Sequence, residues 1–146
     1  MNYHVLAESL IDLQESLHPS ALNRGMSGLD KGSFFALNYL MAHGKKAYPK
    51  ELSRKMAVSS ARIAALLNHL EAMELIERTP DPQDCRQTIV SITDKGLSFI
   101  RQKRSQVVAM LTDLLQQLGP EDAAEYLRIT RRIIRIACQN QQQLHP

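Results

Sequence analysis

Hydrophobic residues recur along this chain at every third or fourth position, which is the spacing of amphipathic helices. Leucines at this spacing predict a first helix over about residues 3–18, ended by Pro19. The stretch 20–29 contains two glycines and is predicted to be a connection. A second helix is predicted over about residues 30–43, with Gly44 at its end.

The middle of the chain predicts two helices separated by a very short turn. Pro49 suits the first turn of a helix that runs to about Met56, because a proline loses no hydrogen bond there. Ser59 is a candidate N-cap for the next helix, over about residues 60–73. Only residues 57–58 stand between the two helices, and this arrangement is typical of a helix-turn-helix.

Two short strands are predicted to follow these helices. Residues 88–92 alternate in polarity and are rich in β-branched side chains, which favours a strand. Residues 76–79 are its predicted partner, and the dipeptide 81–82 between them has turn chemistry. The basic stretch 45–48 is predicted to be a link without regular structure. A two-stranded hairpin is therefore expected.

The last third of the chain returns to helical spacing. Hydrophobic residues from Leu97 to Leu118 predict a long helix, and a last helix starts at Pro120 and runs to about Gln142. The sequence thus predicts a mostly α fold with a small β-hairpin.

The charge is distributed unevenly over the 146 residues, whose net charge is +3. Residues 31–105 contain thirteen basic and seven acidic side chains, whereas residues 1–30 contain one basic and four acidic ones. A basic segment of this kind suits a polyanion such as nucleic acid, and an ordinary solvated surface is the alternative.

Composition and motifs exclude several classes of protein. With 44% apolar and 23% charged residues, the chain has the composition of a globular protein. It shows no membrane-length apolar run and no signal-peptide pattern, so a reduced, cytoplasmic protein is expected. It shows no catalytic motif and no clustered histidines, so no enzyme, cofactor or metal site is expected. A metal-sensing site assembled from distant segments stays open.

The outer face of the predicted helix 60–73 has the chemistry of a recognition helix. Its small side chains allow close approach to DNA. Arg62 can donate two hydrogen bonds to guanine, and Asn68 can reach a base or a phosphate. A merely solvated polar face is the alternative. The residues predicted to contact DNA here are Ser59, Ser60, Ala61, Arg62, Ala65 and Asn68.

The hairpin turn carries a second candidate for DNA binding. Arg86 lies near the tip, where an arginine on a protruding ribbon can enter the negative minor groove. Asp81 and Asp84 can accept hydrogen bonds from turn amides and hold Arg86 in place. A solvent-exposed turn with incidental ion pairs is the alternative. Further DNA contacts are predicted for Lys50, Ser53, Arg78 and Gln87.

The two cysteines have different predicted surroundings. Cys85 lies beside Arg86, and a neighbouring cation favours the oxidisable thiolate, so Cys85 is a redox candidate. An incidental reduced thiol is the alternative. Cys138, in the last predicted helix, is expected in the core or in a dimer interface.

Four segments carry a family resemblance. They are residues 70–78, the D-x-x-D-x-R pattern at 81–86, the V-x-I-T-x-x-G pattern at 90–96, and Glu-Leu-Ser at 51–53. Together they resemble the MarR family of bacterial winged-helix transcription regulators, and the order of predicted elements is similar over nearly the whole chain.

This resemblance implies a winged helix-turn-helix DNA-binding lobe at 30–93 and a helical dimerisation region built from 1–29 and 94–146. It implies a homodimer on palindromic double-stranded DNA, with helix 60–73 in the major groove and Arg86 in the minor groove. In this family a small ligand or an oxidant commonly releases the DNA, so a repressor is implied. The alternative is a winged-helix module for protein–protein contact, without sequence-specific DNA binding.

Three positions depart from the family pattern. Glu74 and Ala57 stand where the family commonly has glycine, and Ala65 stands where it often has arginine. The helix cap at Glu74 is therefore expected to close differently. The base-reading set is also expected to differ from the commonest one.

Overall fold

The computed structural model describes residues 1–17 and 30–143. The predicted helix end at Pro19 and the predicted connection at 20–29 lie outside the described residues. The chain divides into two compact units, Met1–Val107 and the part from Val108 onward.

Six helices and three strands are present in the described residues, and the predicted mostly α class with a small β wing is confirmed. Most element bounds lie within one or two residues of those predicted. The elements are α1 Tyr3–Leu17, α2 Lys31–Ala42, β1 Lys46–Ala47, α3 Pro49–Met56, α4 Ser60–Ala72, β2 Ile76–Pro80, β3 Thr88–Ile92, α5 Asp94–Leu118 and α6 Pro120–Gln143.

The sheet contains one strand more than predicted. Its order is β1-β3-β2, with both pairs antiparallel. The prediction of an irregular link at 45–48 was wrong, because Lys46 pairs with Ser91 and Ala47 with Val90. A strand of two residues is too short to show an alternating pattern, so only its partner strand reveals it.

The core of the first unit lies between α2, α3, α4, the sheet and the start of α5. Hydrophobic side chains from each of these elements are buried there, which fixes both helices of the helix-turn-helix against the sheet. The largest fully buried hydrophobic side chains are Leu37, Leu40, Leu52, Leu67, Leu70, Leu75, Ile76, Val90 and Ile100.

The ends of α3 and α4 share one unusual backbone feature. Ala57 (φ 52°) and Glu74 (φ 60°) both adopt the left-handed conformation that favours glycine. After Glu74, the Leu75 N–H donates to the Leu70 carbonyl at 3.0 Å, and the Glu74 N–H donates to the Glu71 carbonyl at 2.9 Å. This is the usual Schellman closure. The expectation that the cap at Glu74 closes differently was therefore wrong: it closes as with glycine, at the expense of strain.

Glycine at position 74 should relieve that strain. We expect Glu74→Gly to raise the free energy of unfolding by about 0.5–1 kcal/mol, after allowance for the greater entropy of glycine in the unfolded chain. The exposed Glu74–Lys95 ion pair (3.0 Å) that is lost contributes little. Urea denaturation measures the change. Glu74→Ala is the matched control, since it removes the same carboxylate but keeps a Cβ; equal stability of the two variants would contradict the strain.

Three helices present exposed hydrophobic side chains. On α1 these include Val5, Leu6, Leu10, Ile11 and Leu13. In the second unit, the 108–118 part of α5 and α6 also carry them, among them Leu111, Leu114, Ile129, Ile133, Ile134 and Ile136. Among the described helices, none has the length and apolarity needed to cross a membrane.

Candidate nucleic-acid interface

Two serines form hydrogen bonds in the turn of the helix-turn-helix. The Ser59 Oγ accepts a hydrogen bond from the Arg62 N–H (3.2 Å), so Ser59 is the N-cap of α4, as predicted. The Ser53 Oγ donates to the Val58 carbonyl (2.6 Å) and ties the end of α3 to the turn. Both contacts fix the angle at which α4 leaves the turn.

One face of α4 is free of the core. The opposite face of α4 packs into the core through Ile63, Leu67 and Leu70. The structure places all six residues predicted to contact DNA on the exposed part of this helix and its cap: Ser59, Ser60, Ala61, Arg62, Ala65 and Asn68. Within the described part of the chain, the Arg62 side chain makes no ion pair or hydrogen bond, so its donors are available to a ligand.

An open groove of about 730 Å³ lies between α3, α4 and the two long strands. Four predicted site residues line it: Lys50, Ser53, Ser60 and Arg78. Lys50 and Ser60 belong to the first turns of α3 and α4, and helix N-termini attract anions through their free N–H groups. Hydroxyls, cations and helix N-termini facing one groove form a surface suited to phosphate groups of a nucleic acid.

Arg78 is the cationic side chain, among those predicted to contact DNA, that makes the most hydrogen bonds within the described part of the protein. Its Nε donates to Glu71 Oε2 (3.2 Å), and its Nη2 donates to Glu71 Oε1 (2.8 Å) and to Asn68 Oδ1 (2.7 Å). The guanidinium holds the pKa of Glu71 below its usual value, and Glu71 in turn raises the pKa of Arg78. Arg78 therefore joins β2 to α4 and orients Asn68. Glu71 is a site residue that the sequence did not reveal.

The wing loop is closed by its two aspartates. The Asp84 Oδ1 accepts the Arg86 N–H (3.1 Å), and the Asp81 Oδ1 accepts the Gln83 N–H (3.0 Å). The backbone N–H of Asp81 donates to the Gln87 carbonyl at 2.9 Å. Arg86 and Gln87 are exposed, and in the described ranges the Arg86 guanidinium has no side-chain partner. The loop thus presents the Arg86 guanidinium to solvent.

Tyr48 is a second residue that the sequence did not reveal. It immediately precedes α3, and its hydroxyl donates to Asp81 Oδ2 at 2.6 Å. This hydrogen bond, together with the Gln83 N–H, holds the pKa of Asp81 below its usual value, so Asp81 is a carboxylate at neutral pH. The two residues are 33 positions apart, and no spacing rule links them.

The remaining candidates are the two cysteines and a metal site assembled from distant segments. Cys85 is exposed in the wing beside Arg86, as the loop position predicts. Cys138 is also exposed on α6, so its expected place in a core was wrong for the single chain; an interface position stays a prediction. Over residues 1–17 and 30–143, the structure brings together no group of three metal-ligating side chains.

The exposed helix and the adjoining hairpin define a winged helix-turn-helix protein. A family model described as the MarR family matches residues 25–87, which contain α2, the helix-turn-helix and most of the wing. The HTH-type transcriptional repressor NicR of Pseudomonas putida is 36% identical over 67 residues, which are 46% of this chain and 42% of NicR. Residues 25–87 of this chain are therefore similar to the MarR family, and this curated relative is named a transcriptional repressor.

Solved structures show the same fold over a longer part of the chain. A MarR family protein from Bacillus stearothermophilus superposes with a TM-score of 0.76 at 20% identity, covering 94% of this chain and 99% of that one. BpsR of Bordetella bronchiseptica, whose DNA binding is regulated by 6-hydroxynicotinic acid, gives 0.70 at 18% identity, covering 86% and 91%. In sequence, the chain spans about half the length of the first two curated relatives it matches, 57% and 42%.

Proposed function

We propose that the protein is a sequence-specific DNA-binding transcription repressor that acts as a homodimer. The observation that carries the proposal is the exposed face of α4, where Arg62 has no side-chain partner among the described residues and lies among small side chains that allow close approach to base edges. The relative NicR is named a repressor, which supports the direction of regulation.

Each group of site residues has a distinct role in this function. The exposed residues of α4 read bases in the major groove, and Arg86 enters the adjacent minor groove. Asp81 and Asp84 shape the loop that carries Arg86. Phosphate contacts come from the groove beside α4 and from the wing, through Lys50, Ser53, Arg78 and Gln87. For Arg78 this contact is added to its pairing with Glu71.

The homodimer is supported by the exposed hydrophobic faces. Residues such as Ile11 on α1 (56% exposed) and Ile133 on α6 (59% exposed) would remain in water in a monomer. We propose that 1–29 and 94–146 form the dimerisation region and that 30–93 is the DNA-binding lobe. A two-fold dimer then reads two palindromic half-sites about 10 bp apart.

The repressor is proposed to respond to a small molecule or an oxidant. DNA binding of the structural relative BpsR is regulated by 6-hydroxynicotinic acid, which supports a small-molecule effector for this chain. Cys85 is the proposed target of an oxidant, because it is exposed next to Arg86 in the wing.

Selection of bound fragments from the genome of the source organism tests the function directly. We expect recovery of fragments that share a palindrome, followed by a footprint of two half-sites. Equal binding to random duplexes, or no binding to DNA, would instead favour the winged-helix protein–protein module.

Arg62→Ala tests the base-reading role of α4. If Arg62 donates to a base edge, the variant should lose about 1–3 kcal/mol of binding free energy on the selected palindrome and much less on random DNA. Fluorescence anisotropy with both duplexes measures the two affinities. Arg101→Ala, which removes an exposed arginine outside the lobe, is the charge-matched control. Equal losses on both duplexes would reassign Arg62 to the phosphates.

A further inference from the structure

We infer that Tyr48 is a positioning residue for the wing: its hydroxyl fixes Asp81, and thereby the direction of Arg86, relative to the helix-turn-helix. The expected effect on operator binding rests on the proposed DNA-binding function. The attachment of the wing by Tyr48 is a property of the protein alone.

Tyr48 is itself firmly attached to the start of α3. Its carbonyl accepts hydrogen bonds from the N–H groups of Glu51 (3.0 Å) and Leu52 (3.2 Å). The following Pro49 restricts the backbone of Tyr48 to extended conformations, and the residue lies at φ −85° and ψ 146°. The tyrosine ring therefore starts from a fixed point on the helix-turn-helix.

Asp81 is the corresponding fixed point of the wing. It is the first residue after β2, is only 6% exposed, and receives both the Tyr48 hydroxyl and the Gln83 N–H. Hydrogen bonds from a hydroxyl to a carboxylate are among the stronger ones in proteins, and 2.6 Å is in their range. One side-chain contact thus joins the base of the wing to the first turn of α3.

No other contact of this kind is available to the loop. In the described part of the chain, every other hydrogen bond made by residues 81–87 stays within that segment. The last sheet pair before the loop is Pro80 with Thr88. Without the Tyr48 hydroxyl, the loop would lose its attachment to the helix-turn-helix, and the hydrogen bonds within residues 81–87 would open more often.

Tyr48→Phe removes the hydroxyl and keeps the ring. We expect binding to the selected palindrome to weaken by about tenfold. Hydroxyl-radical footprinting should show lost protection at the outer minor grooves, with protection at the major-groove half-sites retained. Tyr39→Phe is the matched control, because the Tyr39 hydroxyl also donates to a carboxylate, Glu51 Oε1 (2.5 Å), but joins α2 to α3 rather than to the wing. The control should leave the wing protection unchanged.

A double variant separates positioning from general stability. If Tyr48 acts through Arg86, Tyr48→Phe should have no further effect on DNA affinity once Arg86→Ala is present. A full additional loss in that background would overturn the inference. So would parental affinity and an unchanged footprint for Tyr48→Phe.

Hydrogen exchange in the free protein tests the structural part without DNA. Tyr48→Phe should accelerate exchange of the Asp81, Arg86 and Gln87 amides relative to the Tyr39→Phe control. If exchange in the wing of Tyr48→Phe is unchanged, the inference is overturned, whether or not the parent protein binds DNA. Accelerated exchange in Tyr48→Phe, together with a parent protein that binds no palindrome, would support the attachment and reject the proposed function.

Discussion

Gly96→Ala should lower the free energy of unfolding by about 3 kcal/mol or more. A Cβ at this position would lie 2.1 Å from the Leu75 carbonyl oxygen and 2.8 Å from Ile92 Cγ1. The backbone cannot easily yield, since the Thr93 N–H donates to the same Leu75 oxygen at 3.1 Å and the Thr93 Oγ1 accepts the Gly96 N–H at 2.9 Å. The first turn of α5 is therefore packed directly against Leu75, in the segment between α4 and β2.

The expected loss of stability is opposite in sign to the gain that helix propensity alone would give, so the test distinguishes the two effects. In an unhindered helix, alanine is more favourable than glycine by about 1 kcal/mol, so a clash must overcome a gain in helix propensity. Ser98→Ala, at an exposed position of the same helix, is the control and should leave stability nearly unchanged. Urea denaturation of both variants measures the difference. A Gly96→Ala variant as stable as the parent would mean that α5 is not held against Leu75.

Arg86→Ala should weaken binding to the selected palindrome by about 10–100-fold. Each dimer would lose two cations from the minor groove, so the slope of log affinity against log salt should become shallower by about 2. The preference for A·T-rich outer edges should disappear as well, because a narrow, negative minor groove attracts arginine without a hydrogen-bond code. Titrations at several salt concentrations, with A·T-rich and G·C-rich flanks, measure both effects.

Asp84→Ala is the informative companion to Arg86→Ala. Removal of an acidic side chain near DNA should by itself strengthen binding, whereas loss of the Asp84 contact to the Arg86 N–H (3.1 Å) should weaken it. If Asp84 positions the loop, the second effect prevails and the variant partly resembles Arg86→Ala. Tighter binding than the parent would show that Asp84 is only an unfavourable charge.

The sequence predicted those parts of the fold that repeat a local pattern. Helical spacing located every helix in the described residues, and the β-branched run at 88–92 located β3. It missed β1, since two residues such as Lys46 and Ala47 carry no period and form a strand only because β3 offers them partners. Local patterns are visible in a sequence, whereas pairing between distant segments depends on the assembled fold.

The candidate site divides in the same way. The exposure of Arg62 and Arg86 followed from the hydrophobic stripe of α4 and from the position of the turn. The contacts that hold these elements, Glu71 with Arg78 and Tyr48 with Asp81, cross between elements and were not predicted. Polar side chains find such partners only after the core has fixed the distances, and many other pairings would have been compatible with the same sequence.

The two strained caps at Ala57 and Glu74 bear on how this chain could acquire a new DNA sequence preference. Changes of specificity replace residues on α4, and most substitutions in a folded protein reduce its stability. A single change to glycine would relieve a left-handed residue in the turn between α3 and α4 (position 57) or after the end of α4 (position 74), without altering any side chain proposed to read bases. Variants selected for a new operator should therefore accumulate glycine at these two positions, because the stability gained there offsets the stability lost through substitutions on α4.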